Sequence, residues 1–138
     1  MDIPKKPVPI VNPWVRPFWE ATREGKLMFQ RCKTCGKNAF YPRIACPHCF
    51  SDNLMWVEAS GRGAVYTYTV VQNNSPSAFS NDVPFVIAIV KLEEEGVQML
   101  TNIVGCDPQE VHCDMPVEVA FVKLDEEFTL PKFRPAKG

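Results

Sequence analysis

Four cysteines in two closely spaced pairs constrain the fold of this chain more than any other feature. The sequence reads Cys32-Lys-Thr-Cys35, then ten further residues, then Cys46-Pro-His-Cys49. Two Cys-x-x-Cys pairs at this separation are typical of a tetrahedral zinc site, and iron held as in rubredoxin has the same spacing. Gly36 follows the first pair and Pro47 lies inside the second, and both residue types favour tight turns. We therefore expect the four cysteines to bind one metal ion.

A zinc ion with four cysteine ligands has a structural role rather than a catalytic one. Catalytic zinc keeps one position open for water or substrate, whereas four thiolates close the coordination shell. The segment around these cysteines, residues 28–57, is also too short to bury enough apolar surface to fold alone. Metal binding supplies the missing free energy in such small modules.

Composition and charge argue against a membrane-spanning or secreted protein and weaken, without excluding, a nucleic-acid-binding function. The chain has 15 basic and 16 acidic residues and a net charge of −1, whereas nucleic-acid-binding domains usually carry a basic excess. The longest apolar run, residues 85–90, is too short to cross a bilayer, and the first residues have no apolar core like that of a secretory signal. Together with cysteines suited to metal binding, this predicts a cytoplasmic protein that does not enter the membrane.

The sequence pattern predicts a short helix followed by β-structure. Pro17 suits the first turn of a helix and Gly25 the position after its end, which predicts a helix over residues 17–24. Its aromatic residues are expected to pack on the rest of the chain, with docking to a partner as the alternative. Strands over residues 26–30 and 54–58 are expected to flank the metal site.

Five further strands are predicted in the second half, which is rich in β-branched and aromatic residues. They cover residues 63–72, 85–92, 97–104, 117–124 and 128–133, and Pro131 is expected to interrupt the last one. Gly61 and Gly63 allow a sharp coil at the start of the first of these strands. Asp107, Pro108 and Glu110 predict one helical turn after the third strand.

Five strands with a helical element after the third are the layout of an OB-fold, a partly open Greek-key barrel. The predicted fold is therefore mainly β: an N-terminal helix and a rubredoxin-like zinc ribbon followed by a five-stranded OB-fold barrel. The predicted boundaries are residues 1–27 for the arm and helix, 28–59 for the zinc ribbon, and 60–138 for the barrel with a C-terminal tail.

Short motifs along nearly the whole chain resemble one family. The chain is similar to the zinc-ribbon OB-fold proteins formerly known as domain of unknown function 35. Besides the four cysteines, the matching pieces are Pro17-Phe-Trp-Glu20, Gly25-Lys-Leu27, Pro42-Arg43, Gly63-Ala-Val-Tyr66, Pro84-Phe-Val-Ile-Ala88, Asn102-Ile-Val-Gly-Cys106, Met115-Pro-Val-Glu-Val119 and Leu130-Pro-Lys-Phe-Arg-Pro135. Tyr41 stands where members often have proline, and Asp114 where many have glycine.

This resemblance implies an accessory subunit rather than an independent enzyme. Members of the family are partners of thiolase-superfamily enzymes that act on acyl-CoA by thiolysis or retro-aldol cleavage. The partner would supply the catalytic cysteine and histidines, while this chain would organise the complex and help to bind coenzyme A. The cofactors implied are thus structural zinc and, as a ligand, coenzyme A or acyl-CoA.

Four residues are candidates for contact with coenzyme A or with the partner. Phe79 lies among small polar residues in the long connection 72–84, where it either reaches a ligand or folds back on the barrel. Arg62, Lys132 and Arg134 are cations that could pair with phosphates, and Arg43 beside the zinc module is a further possibility. An ordinary solvated surface charge is the competing interpretation for each of them.

Two other functions remain open from the sequence. Zinc ribbons and OB-folds both occur in single-stranded nucleic-acid binders, and Tyr66 and Tyr68 are potential stacking residues. An independent enzyme would need an acid or base from Asp82, Glu118 or His112. The sequence Cys106 to Cys113 also contains sulfur and imidazole groups, but adjacent side chains such as His112 and Cys113 point in different directions and no fourth ligand is evident.

Overall fold

The computed structural model describes residues 6–73 and 77–136, so parts of the predicted arm, of the connection 72–84 and of the tail lie outside the described residues. Within these two ranges, one helix is followed by eight strands and two short 3-10 turns, at Ser77–Phe79 and Pro108–Glu110. The elements are α1 (Arg16–Arg23), β1 (Met28–Cys32), β2 (Asn38–Ala39), β3 (Leu54–Glu58), β4 (Arg62–Val71), β5 (Phe85–Leu92), β6 (Gln98–Ile103), β7 (Pro116–Lys123) and β8 (Thr129–Pro135). No helix among them is long and apolar enough to span a bilayer.

Helix α1 joins the two β-structures of the molecule. Pro17 lies in its first turn as predicted, and Phe18 is buried on the inner face. The Phe18 ring packs edge-on against Phe40 of the ribbon at 5.7 Å between centroids, and Trp19 packs against Phe128 at 5.6 Å. The helical aromatics thus pack on their own chain, because they fill the space between the ribbon and the barrel.

The zinc ribbon is a three-stranded antiparallel sheet with strand order β2-β1-β3. Strand β3 has the predicted bounds, whereas β1 begins two residues later than predicted and ends on Cys32. Strand β2 consists of only two residues, too few for a recognisable alternation of apolar and polar side chains, and it was not predicted.

The second half of the chain forms a closed five-stranded barrel. Its strand order is β4-β5-β6-β8-β7, and β7 pairs back onto β4. All neighbours are antiparallel except β6 and β8, which pair in parallel at Ile103 and Phe133 alone. This is the order of an OB-fold, and the turn at Pro108–Glu110 after the third barrel strand confirms the predicted helical element, with the Asp107 carboxylate accepting a hydrogen bond from the Gln109 N–H.

The prediction that Pro131 interrupts the last strand is wrong. Strand β8 runs through Pro131, which pairs with Phe121 of β7. The Pro131 carbonyl accepts a hydrogen bond of 3.0 Å from the Thr101 hydroxyl of β6, so this backbone edge faces β6. Because main-chain pairing between β6 and β8 is limited to one residue pair, the missing N–H of proline breaks no ladder bond there.

The hydrophobic core is continuous across the helix, the ribbon and the barrel. Phe18 and Phe29 belong to the same buried cluster as Val65, Val90 and Phe133 of the barrel. The alternation of buried and less buried residues along β5 and β6 points one face of each strand into this cluster. Gly63 lies where β4 approaches β5 so closely that a Cβ atom would stand 2.3 Å from the Lys91 carbonyl oxygen.

Candidate functional site

The two Cys-x-x-Cys pairs form two turns with the same backbone geometry. In the first, the Gly36 N–H donates to the Cys32 carbonyl at 2.8 Å; in the second, the Phe50 N–H donates to the Cys46 carbonyl at 2.9 Å. The residue after each pair has a left-handed backbone, with φ of 76° at Gly36 and 64° at Phe50. We call these turns the first and the second knuckle. The positive φ expected at Gly36 is confirmed, whereas its counterpart is a bulky aromatic residue.

The four sulfur atoms are positioned to hold one metal ion. All four Sγ atoms lie within 4.8 Å of one another. The Sγ atoms of Cys32 and Cys49 are 3.6 Å apart, and those of Cys35 and Cys46 are 3.7 Å apart. Tetrahedral Zn²⁺ with bonds of about 2.3 Å places its sulfur ligands about 3.8 Å apart, so the donor set fits zinc. In the described part of the chain this is the one group of three or more potential metal ligands.

The pKa values of the cysteine thiols are shifted by backbone N–H groups and by the neighbouring thiols. A hydrogen bond from the Cys35 N–H lowers the pKa of the Cys32 thiol to about 6. Burial opposes ionisation of Cys46, but N–H groups of Cys49 and His48 lower its pKa overall. The Ser51 N–H favours the thiolate of Cys49, yet burial and the three neighbouring thiols raise its pKa to about 12. Four thiolates therefore need a cation among them, and metal uptake displaces at least the proton of Cys49.

Arg62 and Arg134, two of the predicted contact residues, lie on either side of one carboxylate. Glu118 of β7 pairs with Arg62 of β4 on one side and with Arg134 of β8 on the other. The Arg134 Nε donates to the Glu118 carboxylate at 3.0 Å. Arg134 is thus held in an exposed ion pair, while Arg62 is exposed at the start of its strand.

Phe79 and Lys132, the other two predicted contact residues, lie in a separate cluster. The Phe79 ring is partly buried, with its centroid 6.2 Å from that of Phe85, so it folds back on the barrel end. The Lys6 amine lies 5.8 Å from the Phe79 centroid and forms a 2.7 Å ion pair with Asp82. Burial lowers the pKa of the Lys132 amine, Lys6 lowers it further, and Asp82 opposes them. Lys132 is therefore a half-buried cation beside this ion pair.

Lys132 also lines an apolar groove that the sequence did not predict. The groove has a volume of about 410 Å³ and lies between the N-terminal arm, α1, the segment 40–42 and the side of the barrel where β6 and β8 share only one residue pair. The Tyr41 hydroxyl accepts a 2.9 Å hydrogen bond from the Leu100 N–H, which β8 leaves unpaired. The apolar lining of the groove includes Ile10, Val15, Phe18, Trp19, Phe40, Met99, Leu100 and Leu130. A volume of this size with few polar groups is typical of small-molecule sites.

The remaining candidates have structural or isolated roles. Gln30 fixes the backbone of Arg43, since its side-chain amide donates to the Arg43 carbonyl at 3.1 Å and accepts from the Arg43 N–H at 2.8 Å. His112 is exposed, with Nδ1 3.1 Å from the Glu110 carbonyl oxygen. Burial, followed by the charges of Glu110 and Asp107, raises the pKa of the Cys106 thiol.

The two tyrosines proposed as a stacking surface do not share a face of β4. The register of β4 and β5 shifts between Val65 and Thr67, which leaves Tyr66 on the outside with the Lys91 amine 4.9 Å from its ring centroid. Tyr68 instead pairs with the buried Ala88 and belongs to the other face. This arrangement lacks the single aromatic platform on which successive bases stack.

Comparison with other proteins identifies the family. Residues 19–54 match the domain described as "ChsH2, rubredoxin-like zinc ribbon domain", and residues 56–122 match "ChsH2, C-terminal OB-fold domain". A solved structure described as "Ltp2-ChsH2(DUF35) aldolase" is 38% identical, with a TM-score of 0.83 over 93% of this chain and 98% of that chain. The chain belongs to the DUF35 family.

This DUF35 protein also resembles parts of two curated proteins. It is 39% identical over 131 residues to a probable enoyl-CoA hydratase alpha subunit of Thermomonospora curvata, covering 95% of this chain and 40% of that protein. A DUF35 domain-containing scaffold protein of Methanocaldococcus jannaschii is 42% identical over 83 residues, covering 59% of this chain and 57% of that protein. The chain thus spans 40% and 57% of the length of these two relatives.

Proposed function

We propose that this DUF35 protein is a non-catalytic accessory subunit of a thiolase-superfamily enzyme that cleaves acyl-CoA by thiolysis or a retro-aldol reaction. The observation that carries this proposal is its 38% identity to nearly the full length of a chain in a DUF35-containing aldolase structure. The enoyl-CoA hydratase subunit and the scaffold protein among its relatives agree with a supporting role in acyl-CoA chemistry.

The candidate acid–base residues favour an accessory role over independent catalysis. Asp82 and Glu118 are each engaged in an ion pair, with Lys6 and Arg134 respectively. His112 is exposed and lies against a backbone carbonyl rather than beside a nucleophile. Because the zinc ligands are four cysteines, the metal centre has no open position for substrate. The partner subunit would therefore supply the catalytic groups.

The groove is the part of this chain that best suits an acyl thioester. Its apolar walls would accept the acyl or pantetheine portion, and Lys132 would attract a phosphate or carboxylate group of the ligand. Lys132 lines the groove, whereas Phe79 packs against Phe85, and Arg62 and Arg134 form a separate group around Glu118. We therefore favour Lys132 over the two arginines as a ligand contact.

An affinity purification of the tagged full chain from its native cell, under mild conditions, tests the accessory role. We expect a thiolase-superfamily subunit in near-stoichiometric amount, identified by mass spectrometry. Recovery of nucleic acid, or of no acyl-CoA enzyme, would contradict the proposal. Octanoyl-CoA titrated calorimetrically into the recovered complex then tests the groove: Lys132→Ala is expected to weaken binding several-fold, whereas the control Lys91→Ala, an exposed lysine elsewhere on the barrel, leaves it unchanged.

A further inference from the structure

The second knuckle has an aromatic residue, Phe50, at the position where the first knuckle has glycine. The first knuckle shows that glycine is sufficient to form the turn. Both turns have the same hydrogen bond from the residue after the second cysteine to the carbonyl of the first. Gly36 occupies the left-handed position of the first knuckle, and Phe50, with φ of 64°, occupies that of the second. Bulky residues rarely adopt this conformation, because their Cβ approaches the backbone too closely. The metal site therefore does not require the ring, and the backbone conformation disfavours it.

The Phe50 side chain does not contribute to packing either. It is 83% exposed, more than any other aromatic residue among the exposed large side chains of the described chain. No ring–ring or cation–ring contact involves it within residues 6–73 and 77–136. A strained, solvent-exposed aromatic residue on a metal-fixed turn indicates a role outside the folded chain.

Other exposed apolar side chains lie in the same short segment. Within residues 41–50, which we call the knuckle loop, Ile44 is 65% and Tyr41 50% exposed. The loop contains two of the four cysteines that would hold zinc, and two hydrogen bonds join Gln30 to the backbone of Arg43. A preorganised loop loses little conformational entropy on binding, which favours it as an anchor.

The charges around the knuckle loop indicate the chemistry of its partner. Between Cys32 and Cys49, the segment that holds both knuckles, the charged side chains are Lys33, Lys37 and Arg43, all exposed and all basic, while the exposed acids Asp52 and Glu58 follow in the rest of the ribbon. Exposed apolar side chains among basic ones match a protein surface that has an apolar pocket and acidic neighbours. The aliphatic Ile44 adds apolar contact area but cannot stack on bases, which favours a protein over a single-stranded nucleic acid.

We propose that Phe50 is the anchor by which the zinc ribbon docks onto the acyl-CoA enzyme subunit, entering an apolar pocket rimmed by acidic side chains. This inference rests on the proposed function, since the partner is the subunit expected in that complex. Large aromatic side chains in a desolvated pocket commonly carry most of the binding energy of an interface. A glycine at position 50 would remove the strain of the left-handed backbone and would also remove the side chain that anchors the interface.

The variant Phe50→Gly tests this because a structural role and a docking role predict opposite changes. For the zinc-loaded full chain, we expect unchanged zinc content and an equal or higher melting temperature. We expect its Kd for the purified enzyme subunit recovered with the wild type to rise at least tenfold. Tyr66→Ala, which removes an exposed aromatic side chain from the barrel, serves as the matched control and should bind like the wild type.

Each other outcome overturns the inference in a distinct way. If Phe50→Gly binds the enzyme subunit as tightly as the wild type, the ring is not the anchor although the proposed function stands. If the variant loses zinc or stability, the ring has a structural role. If its affinity for a dT15 oligonucleotide falls while enzyme binding does not, the loop contacts nucleic acid. If the wild type recovers no acyl-CoA enzyme subunit, the proposed function and this inference both fail.

Discussion

At the scale of single residues, the close approach of β4 to β5 at Gly63 requires a residue without a side chain. A Cβ atom on Gly63 would lie 2.3 Å from the Lys91 carbonyl oxygen and 3.0 Å from the Leu92 Cα, both of them backbone atoms that cannot rotate away. We expect Gly63→Ala to lower the free energy of unfolding by about 3 kcal/mol, since β4 and β5 must separate. Gly96→Ala, at a left-handed position with open space around it, should cost only about 1 kcal/mol. Urea denaturation of both variants measures the difference, and equal losses would show that steric contact at Gly63 is not the cause.

Residue types with one dominant chemical use were the ones predictable from the sequence. The cysteine spacing predicted the four residues whose sulfur atoms lie together, because tetrahedral coordination fixes both the ligand type and the separation. The role of Tyr41 was not predictable, since it depends on the Leu100 N–H, which is 59 residues away in the chain. The left-handed conformation of Phe50 was equally hidden, because the residue type argues against it.

At the scale of elements, the zinc ribbon is expected to depend on its metal and the barrel to be independent of it. The ribbon sheet has three strands, of which β2 has only two residues, whereas the barrel closes on itself and holds most of the core. We expect removal of zinc by a chelator, or the variant Cys46→Ser, to unfold residues 28–57 while the barrel retains its structure. Amide hydrogen exchange followed by mass spectrometry locates the change. The control Cys113→Ser removes an exposed cysteine outside the site, and loss of protection in the barrel to the same extent as in the ribbon would contradict the prediction.

The sequence predicted the ends of those strands that are defined by a local pattern of residues. Strands β3 and β5 have the predicted bounds because apolar runs and flanking turn residues define them. Strand β8 instead continues through Pro131 because the backbone edge of Pro131 faces β6, with which β8 forms only one residue pair. That arrangement is a property of the whole barrel. The groove lies along the same side of the barrel, so neither the strand nor the groove is visible in local sequence patterns.

At the scale of the whole molecule, α1 packs the ribbon and the barrel against one shared hydrophobic core. Phe18 contacts Phe40 of the ribbon and belongs to the cluster that contains the barrel core, while Trp19 contacts Phe128. The groove is built from the same parts, since the arm, α1, the ribbon segment 40–42 and the barrel all line it. The affinity of the groove for a ligand would therefore depend on how the ribbon is placed against the barrel. Because the zinc site stabilises the ribbon, it would affect ligand binding although the metal itself has no open coordination position.

The packing of Phe18 between the ribbon and the barrel predicts how the protein unfolds when this side chain is removed. Phe18 is only 6% exposed, so Phe18→Ala should lower the free energy of unfolding by about 3–5 kcal/mol. It should also separate thermal unfolding into two transitions, because the ribbon and barrel would no longer share a packed core. Ile10→Ala, which removes a side chain that is 86% exposed, should change stability by less than about 0.5 kcal/mol. Differential scanning calorimetry of the zinc-loaded proteins distinguishes the cases. A single, merely shifted transition for Phe18→Ala would mean that contacts other than α1, such as the Tyr41–Leu100 hydrogen bond, are enough to hold ribbon and barrel together.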